Sequence, residues 1–373
     1  MAREKKKTKL KRNILIGVLL LIALGIGISL APNYITGEIK DRTNLILNNN
    51  NVTARLKKDV YIDEKGVIYL SLEDTKNYFD KYIYIDKEEN VLITTSDTKV
   101  GKIRLGETTL NINGSDKRIL GTVIKKDDTT YIPLSDMCDV YNIELEHSKE
   151  TDTITVDSFS RKLTKANVSK NVSIKYKTKV LSKTLDRVKT GEAVVVISTE
   201  KGWSKVRSAN GKIGYVKEKY LANINVVRDK MEYAGRLDQK VNLVWDYYSE
   251  YVKVPNRTGT KIEGINVIAP AFFSFKENGG GMLFDNAGSD GKEYIKWAKE
   301  NDYKVWAMVS NNSYRTTTSE VLNDYKKREK LIEDILKLAI VYNVDGINLD
   351  FENMNESDKD AYSRFVIELR ATP

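Results

Sequence analysis

The chain has 373 residues but only one cysteine, Cys138, and one histidine, His147. A single cysteine excludes an internal disulfide framework and a cysteine-ligated zinc site. A single histidine excludes most histidine-based metal clusters, and a Ser-His-Asp triad would have to use His147. We interpret His147 as a surface residue, because it lies in a polar strand-turn region without a nucleophile motif. Carboxylates are therefore the main candidates for acid–base chemistry, and we expect neither a metal nor a cofactor.

Excess charge is also missing from most of the chain. The formal net charge is +9, but residues 1–12 hold seven Lys or Arg and one Glu, so the remainder carries only about +3. We therefore expect no nucleic-acid partner. A hydrophobic content of 41% and a charged content of 30% indicate globular protein, and the length allows two or three domains.

Charged residues are absent from Ile14 to Ala31, a run of 18 residues. This length is near the minimum for a tilted transmembrane helix. Because the basic residues precede the run, they place the N-terminus in the cytoplasm. The pattern predicts a cytoplasmic tail at 1–12, a transmembrane anchor at 13–31 and a cell-membrane protein whose remaining residues lie outside. The alternative is a cleaved signal peptide, since Ser29-Leu30-Ala31 resembles a cleavage site.

Residues 32–55 are polar and rich in asparagine, which predicts a stalk. An internal duplication follows, with an offset of 62 residues that aligns Tyr69 with Tyr131 and Asp74 with Asp136. Each copy predicts a strand, a short helix and two strands, so that 56–160 form an α+β domain. The segment resembles the N-terminal domain of copper amine oxidases. The resemblance implies a spacer or binding module, without copper.

Residues 168–222 consist of short predicted strands separated by turns, and 223–239 are a predicted linker. The run GWSKVRSANGKIGYVKEKYL contains Trp203, an Asn-Gly hairpin turn and Tyr215. It resembles a bacterial SH3 domain, which implies a small all-β barrel that binds peptidoglycan peptides or acts as a spacer. Trp203 and Tyr215 belong either to a ligand groove or to the core of the barrel.

From residue 240 onward the pattern changes to apolar strands alternating with helices. We predict strands at 241–248, 265–275 and 305–309, and helices at 291–302 and 319–343. This alternation is typical of a parallel sheet covered by helices.

The stretch VDGINLDFEN, residues 344–353, predicts a further strand with two different faces. Ile347, Leu349 and Phe351 fall on one face, while Asn348, Asp350 and Glu352 fall on the other. The two carboxylates stand roughly 6–7 Å apart along the strand. Away from water both cannot ionise easily, so the pKa of one is expected to rise, as is usual for a catalytic acid. The alternative is an edge strand with a solvated polar face.

The segment DGINLDFE, Asp345 to Glu352, resembles the signature strand of glycoside hydrolase family 18, which reads Asp-x-x-Asp-x-Asp-x-Glu. Asn348 stands where the family often has Asp. The resemblance implies a (β/α)8 barrel with catalytic groups at the C-terminal ends of its strands. Residues 240–373 would then supply only its first half, because such a barrel needs about 250 residues. We expect a truncated chain that is inactive alone.

The family chemistry implies a role for each polar residue of this strand. Glu352 would protonate the glycosidic oxygen as general acid, and Asp350 would orient the 2-acetamido group of the substrate as it attacks the anomeric carbon. Asn348 would hydrogen-bond Asp350, and Asp345 belongs to the same catalytic motif. In the first two strands, Asp246 and Phe273 are candidate substrate contacts, as Trp203 and Tyr215 are in the SH3-like segment.

The sequence therefore predicts a membrane-anchored extracellular glycosidase that acts on N-acetylglucosamine-containing cell-wall glycan. Ser310-Asn311-Asn312 stand where many chitinases have Ser-x-Gly-Gly, which weakens the case for chitin, and the SH3-like segment favours peptidoglycan. A sugar-binding protein without catalysis and a structural wall anchor with a vestigial barrel are the alternatives.

Overall fold

A computed structural model describes residues 39, 41–228, 239–249 and 251–372. The strands of the N-terminal half are β1 Asn44–Leu47, β2 Asn50–Asn51, β3 Tyr61–Ile62, β4 Ile68–Ser71, β5 Tyr84–Asp86, β6 Val91–Thr95, β7 Val100–Arg104, β8 Thr109–Ile112, β9 Ser115–Arg118, β10 Ile124–Lys126, β11 Thr129–Pro133, β12 Ile143–Ser148 and β13 Thr153–Ser158. The later strands are β14 Leu163–Val168, β15 Val172–Lys175, β16 Thr184–Val188, β17 Ala193–Glu200, β18 Trp203–Arg207, β19 Ile213–Lys217, β20 Leu221–Arg228, β21 Leu243–Asp246, β22 Val267–Pro270, β23 Phe273–Phe275, β24 Leu283–Asp285, β25 Lys304–Ser310 and β26 Gly346–Asp350. The α-helices are α1 Leu72–Tyr78, α2 Cys138–Tyr141, α3 Gly291–Glu300, α4 Arg315–Asn323, α5 Tyr325–Tyr342 and α6 Lys359–Ala371.

The described residues form two compact units. The first holds those up to Ile83 and those from Ile103 to 228, and the second holds Tyr84–Lys102 and those from 239 onward. No helix among the described residues is long and apolar enough to cross a membrane. The anchor predicted at 13–31 lies outside them.

The duplication predicted from the sequence is confirmed in the order of its elements. Strand β4 leads into α1 and β11 leads into a short helical segment that includes α2, and the two strands pair antiparallel with Leu70 opposite Ile132. Asp74 accepts hydrogen bonds from the backbone N–H groups of Lys57 and Lys58, at 2.9 and 3.1 Å. Its counterpart Asp136 accepts from the N–H of Gly121 at 2.8 Å. Each aligned aspartate therefore holds the segment that lies before its own strand.

The predicted stalk is wrong for residues 44–55, which are folded. Strand β1 pairs parallel with β13, and its Leu45 and Ile46 are buried. The asparagine run forms the turn into β2, with Asn48 and Asn49 at positive φ of 47° and 67°. Asparagine tolerates this left-handed region better than most residues. The local composition therefore predicted neither this turn nor the strand that precedes it.

The SH3-like segment is all-β. Strands β14 to β20 form one sheet in the order β16-β15-β19-β18-β17-β14-β20, with Ile174, Val206 and Val216 in its core. At the β18–β19 hairpin Gly211 has a φ of +77°, and a Cβ there would lie 2.5 Å from the methyl group of Thr153. The linker predicted at 223–239 is wrong for residues 223–228, which belong to strand β20. Residues 229–238 lie outside the described residues.

The second unit confirms the predicted parallel sheet covered by helices. Strands β21, β22, β25 and β26 follow one another in parallel pairs. The strand predicted at 265–275 is interrupted, because β22 ends at Pro270 and β23 pairs with β25 further along. The apolar side of the sheet packs on α3 to α6, and the largest buried side chains of this core include Phe272, Phe273, Phe275 and Phe365.

The helix predicted at 319–343 is two helices, α4 and α5. Asp324 lies between them in an extended conformation, with φ −91° and ψ 123°. Its side chain accepts a hydrogen bond from the N–H of Lys327 at 2.9 Å and so caps the start of α5. Aspartate favours such a cap over a helix interior, because its oxygen competes for backbone N–H groups.

Residues 84–102 of the duplicated segment belong to the second unit. Val91, Ile93 and Val100 share a small core with Ala371 at the end of α6. Beside it Arg328, which is 1% exposed, donates to the Glu368 carboxylate at 2.8 Å. The second unit therefore contains part of the domain that we predicted at 56–160.

Candidate active site

Strand β26 has the two faces that its sequence predicts. Ile347, Leu349 and Phe351 pack on the hydrophobic core, and the ring of Phe351 stacks on Phe365 with centroids 5.6 Å apart. Asp350 lies on the other face, and Glu352 follows the end of the strand. The alternation of apolar and polar residues therefore separates the packing of this strand from its chemistry.

Asp350 and Glu352 line an open cleft of about 590 Å³ at the C-terminal ends of the strands. Ser274, Ser310 and Asp350 are register partners on β23, β25 and β26, so they form one row across three strands. All three line the cleft. Neighbouring strands are about 4.8 Å apart, which places the Ser310 hydroxyl beside the carboxylate and Ser274 one strand further away. Burial raises the pKa of Tyr362 on helix α6, and the negative charge of Asp350 raises it further.

Glu352 is fixed through its backbone rather than through its carboxylate. The Asn311 side chain accepts a hydrogen bond from the N–H of Glu352 at 2.9 Å and donates one to its carbonyl at 2.9 Å. Asn311 is fully buried, and it also donates to the hydroxyl of Thr318 at 2.9 Å. The exposed Glu352 carboxylate makes no hydrogen bond to any residue that the structure describes. It is therefore held in place and open to a ligand.

The loop after β25 has an unusual backbone. Asn312 and Ser313 have consecutive positive φ values of 49° and 57°. The Asn312 side chain donates to the carbonyl of Phe275 at 2.8 Å, and Ser313 accepts from the Asn353 amide at 3.2 Å. Left-handed conformations of non-glycine residues are uncommon, and they concentrate at functional sites. This loop borders the cleft through Asn312 and Ser313.

Two residues of the motif lie away from the cleft carboxylates. Asp345 precedes β26 and accepts hydrogen bonds from the N–H of Val305 and the amine of Lys304, each at 3.0 Å. It stands about 16 Å from Asp350 along the strand. The structure therefore does not bring Asp345 into the site with which we associated it, and gives it a part in joining two strands.

Asn348 has a partner other than the expected one. Its side-chain oxygen accepts a hydrogen bond from the indole N–H of Trp245 at 3.4 Å. No hydrogen bond to Asp350 is found within the described part of the chain. Trp245 is 64% exposed, on strand β21. Asn348 thus shares the polar face with Asp350, but not the contact that the family resemblance implied.

Asp246, a predicted substrate contact, is occupied by protein groups. Arg257 donates to the Asp246 carboxylate through Nε and Nη2, at 2.8 to 3.0 Å, and the Tyr294 hydroxyl donates to it at 2.8 Å. The hydrogen bonds from Arg257 to Asp246 raise the pKa of Arg257. Burial, followed by the negative charge of Asp246, raises the pKa of Tyr294. Asp246 is not among the residues that line the cleft. Its place on the strand gave no sign that it faces the helices.

The remaining predicted contacts lie in two places. Phe273 borders the cleft, but it is fully buried and forms part of its floor. Trp203 and Tyr215 belong to the first unit, while the cleft is formed by the second. Both are half-buried and absent from the hydrophobic core of the SH3-like sheet. This placement favours a surface role for the pair over the core role.

Sequence reasoning missed Asn311 and two tyrosines at the rim of the cleft. Tyr247 and Tyr251 line the cleft and are 71% and 88% exposed. The run DYYSEY at the end of the first strand was the available signal, since it places several tyrosines at the C-terminal end of a predicted barrel strand. Exposed rings of this kind offer apolar faces beside a polar site. No group of three or more metal-ligating side chains is found among the described residues.

Comparison with known families agrees with the three resemblances. Residues 243–372 match glycosyl hydrolases family 18, residues 181–222 match the bacterial SH3 domain, and residues 46–156 match the copper amine oxidase N-terminal domain. The chain therefore carries all three segments that its motifs indicated.

Each match to an individual protein covers only part of this chain and only part of that protein. An uncharacterized glycosylase of Bacillus subtilis (strain 168), YvbX, is 29% identical over 108 residues, which are 27% of this chain and 30% of the relative. A chitinase from Bacteroides thetaiotaomicron is 23% identical with a TM-score of 0.26, covering 28% of this chain and 34% of that one. The Bacillus cereus spore cortex-lytic enzyme SleL is 16% identical with a TM-score of 0.27, covering 50% and 48%. The chain thus spans about a third of the first two proteins.

Proposed function

We propose that the protein hydrolyses glycans that contain N-acetylglucosamine, because residues 243–372 match glycosyl hydrolases family 18. One observation carries the proposal: Asp350 and Glu352 leave the same strand at its C-terminal end and line one open cleft. Such a strand end is where barrels of this type place their catalytic groups.

The arrangement of the carboxylates favours participation of the substrate. Most glycosidases use two carboxyl groups that flank the scissile bond, and family 18 is an exception that relies on substrate assistance. Asp350 and Glu352 stand on one face of one strand, roughly 6–7 Å apart. In this scheme the Glu352 acid protonates the glycosidic oxygen while the substrate's acetamido oxygen attacks the anomeric carbon. Asp350 orients that acetamido group and balances its positive charge, and the Glu352 carboxylate then activates water.

Peptidoglycan is the favoured substrate within this class. An SH3-like segment in the same chain suits a cell-wall polymer, and Ser310-Asn311-Asn312 depart from the Ser-x-Gly-Gly of many chitinases. The test compares release of reducing ends from peptidoglycan, from N-acetylglucosamine oligomers and from the same oligomers after removal of their acetyl groups. We expect peptidoglycan to be cleaved fastest and the deacetylated oligomers to resist. Equal cleavage with and without the acetyl group would contradict substrate assistance.

A sugar-binding protein without catalysis is the second candidate. The exposed tyrosines at the rim, Tyr247 and Tyr251, favour it as well as they favour an enzyme. The Glu352 carboxylate is exposed and has no hydrogen bond to the described residues, which favours the enzyme because a transferable proton must reach the substrate. Binding of peptidoglycan without any release of reducing ends would support the binding protein.

The basic tail and the apolar run at 14–31 support a location at the outer side of the membrane, with the tail inside. Protease added to intact cells is then expected to remove the domains and to leave residues 1–12 protected. Release of the protein into the medium with a new N-terminus near Pro32 would instead show a cleaved signal peptide.

A further inference from the structure

The SH3-like segment carries a concentration of positive charge. Residues 168–222 hold eleven Lys and two Arg against one Asp and three Glu, a net charge of +9. The net charge of the chain beyond residue 12 is therefore small because this basic segment is offset by acidic residues elsewhere. Such a segment attracts polyanions, provided that its charges share a surface and are not neutralised by the protein.

Several of these lysines share the outer face of the sheet. Register places Lys175 and Lys205 on either side of Tyr215, on β15, β18 and β19. Cross-strand partners lie on the same face. Their neighbours Ile174, Val206 and Val216 point into the hydrophobic core. The three residues therefore form a lysine–tyrosine–lysine row across the exposed side.

A second row continues this face. Lys217 is the register partner of Trp203, and its amine lies 5.9 Å from the centre of a Trp203 ring. Lys170 and Lys219 lie over the Tyr220 ring at 4.0 and 5.4 Å. The hydrogen bond to Lys170, followed by the charges of Lys170, Lys219 and Lys217, lowers the pKa of Tyr220. All three amines therefore act on one phenol. We call the set of Lys170, Lys175, Lys205, Lys217 and Lys219 with Trp203, Tyr215 and Tyr220 the cationic face.

The amines of this face are not neutralised by protein carboxylates. Within the part of the chain that the structure describes, none of the five lysines has a carboxylate oxygen within 4.0 Å. Lys175 donates instead to the neutral hydroxyl of Thr184 at 2.9 Å. Glu200, which is paired with Trp203 in the sheet, has its ion pair with Lys201 at 3.3 Å. Arg207 belongs to a different contact, a buried ion pair with Asp157.

We infer that the cationic face binds a linear polymer of polyols or sugars joined by phosphodiester groups. Five unneutralised amines, three on adjacent strands and two beside the Tyr220 ring, match a partner whose negative charge repeats along its length. They are all lysines, whose ammonium groups act as point charges and bind phosphate without a fixed bidentate geometry. The aromatic rings between them offer apolar contact to the carbon skeleton. The choice of this polymer over a nucleic acid rests on the proposed function. The inference that the amines bind a polyanion does not rest on it.

The test measures binding of the full chain to poly(glycerol phosphate) at 50 and 200 mM salt. If three to five phosphates are neutralised, affinity is expected to fall by about 20- to 130-fold over this range. The triple substitution Lys205→Gln, Lys217→Gln and Lys219→Gln is expected to weaken binding on the order of 10- to 100-fold. A matched control replaces the exposed Lys57, Lys58 and Lys65 of the duplicated segment with Gln, and is expected to bind within about twofold of the unaltered chain. Thermal melts show that each variant is folded.

Three results would overturn the inference. They are unchanged affinity in the triple variant, an equal loss in the control, and binding that does not respond to salt. Tighter binding of single-stranded oligo(dT) than of poly(glycerol phosphate) would reject the partner, and so would equal binding of poly-γ-glutamate. None of these measurements needs turnover, so a failed hydrolysis assay leaves the inference intact, and a failed binding assay leaves the proposed hydrolase intact.

Discussion

Asn311 holds Glu352 by both of its backbone groups, through two hydrogen bonds of 2.9 Å. Asn311 follows β25 and Glu352 follows β26, just beyond the point where the two strands stop pairing. The Asn311 side-chain amide makes there the two hydrogen bonds that a paired backbone residue would make. The position of the proposed acid is therefore set by the neighbouring strand.

Asn311→Ala is expected to lower the free energy of unfolding by about 1–3 kcal/mol, because partly buried backbone groups of Glu352 lose their partner. Exchange of the Glu352 amide hydrogen is expected to become faster. Denaturant unfolding and hydrogen exchange measure the two effects. Asn256→Ala is the control: it removes an exposed acceptor for the N–H of Thr258 and is expected to change stability by less than about 0.5 kcal/mol. Equal effects in both variants would contradict a specific role for Asn311.

Asp345→Ala is expected to reduce stability and to leave turnover unchanged. The substitution leaves the N–H of Val305 without its acceptor and removes the ion pair with Lys304, which together cost about 1–2 kcal/mol. Asp345→Asn keeps an acceptor and is expected to restore part of the loss. Melting temperature and kcat, measured well below the melting point, separate the two effects. A hundredfold loss of kcat in a fully stable variant would return Asp345 to the catalytic set.

The buried pair of Arg328 and Glu368 predicts a strong difference between single and double substitutions. Arg328 and Glu368 are 1% and 5% exposed, and Arg328 also donates to the hydroxyl of Tyr84. Glu368→Gln leaves a buried charge without its partner, which is expected to cost about 3–5 kcal/mol. The double variant Arg328→Met with Glu368→Leu removes both charges and is expected to recover most of that loss. A double variant that is less stable than Glu368→Gln would contradict this account.

Cys138 is expected to react slowly with thiol reagents. Burial, followed by the negative charges of Asp139 and Asp136, raises the pKa of its thiol to about 11. Only the thiolate is nucleophilic, and at pH 8 a pKa two units above that of a free thiol leaves roughly a hundredfold less of it. Alkylation by iodoacetamide, followed by mass spectrometry, is expected to be about a hundredfold slower in the folded chain than in urea. Equal rates would show that the thiol is exposed and unperturbed.

Local patterns predicted the two different faces of β26 because side-chain alternation is a property of the strand itself. The same reasoning failed for Asp246, whose orientation depends on partners 11 and 48 residues away, Arg257 and Tyr294. Asp345 shares a motif with Glu352, but Asp345 precedes β26 and Glu352 follows it, so the two lie at opposite ends of the strand. Motif membership therefore did not imply a shared site.

Other differences arose where tertiary contacts override composition. Asparagine-rich residues 48–51 read as a stalk because nothing local reveals that β1 pairs with β13, more than a hundred residues later. Asn311 was noticed only as a departure from a glycine motif. Its function depends on backbone groups 41 residues away, which no local pattern could reveal.

The most direct test of the account is the rate at which Glu352→Gln hydrolyses N-acetylglucosamine oligomers and peptidoglycan, in the protein that carries this chain. Glutamine keeps the size of the side chain but cannot transfer the proton, and loss of a general acid typically lowers the rate by about 10²- to 10⁴-fold. Because the Glu352 carboxylate has no hydrogen bond to the described protein, the variant is expected to melt at the same temperature as the unaltered protein. A folded Glu352→Gln variant with full activity would contradict the account.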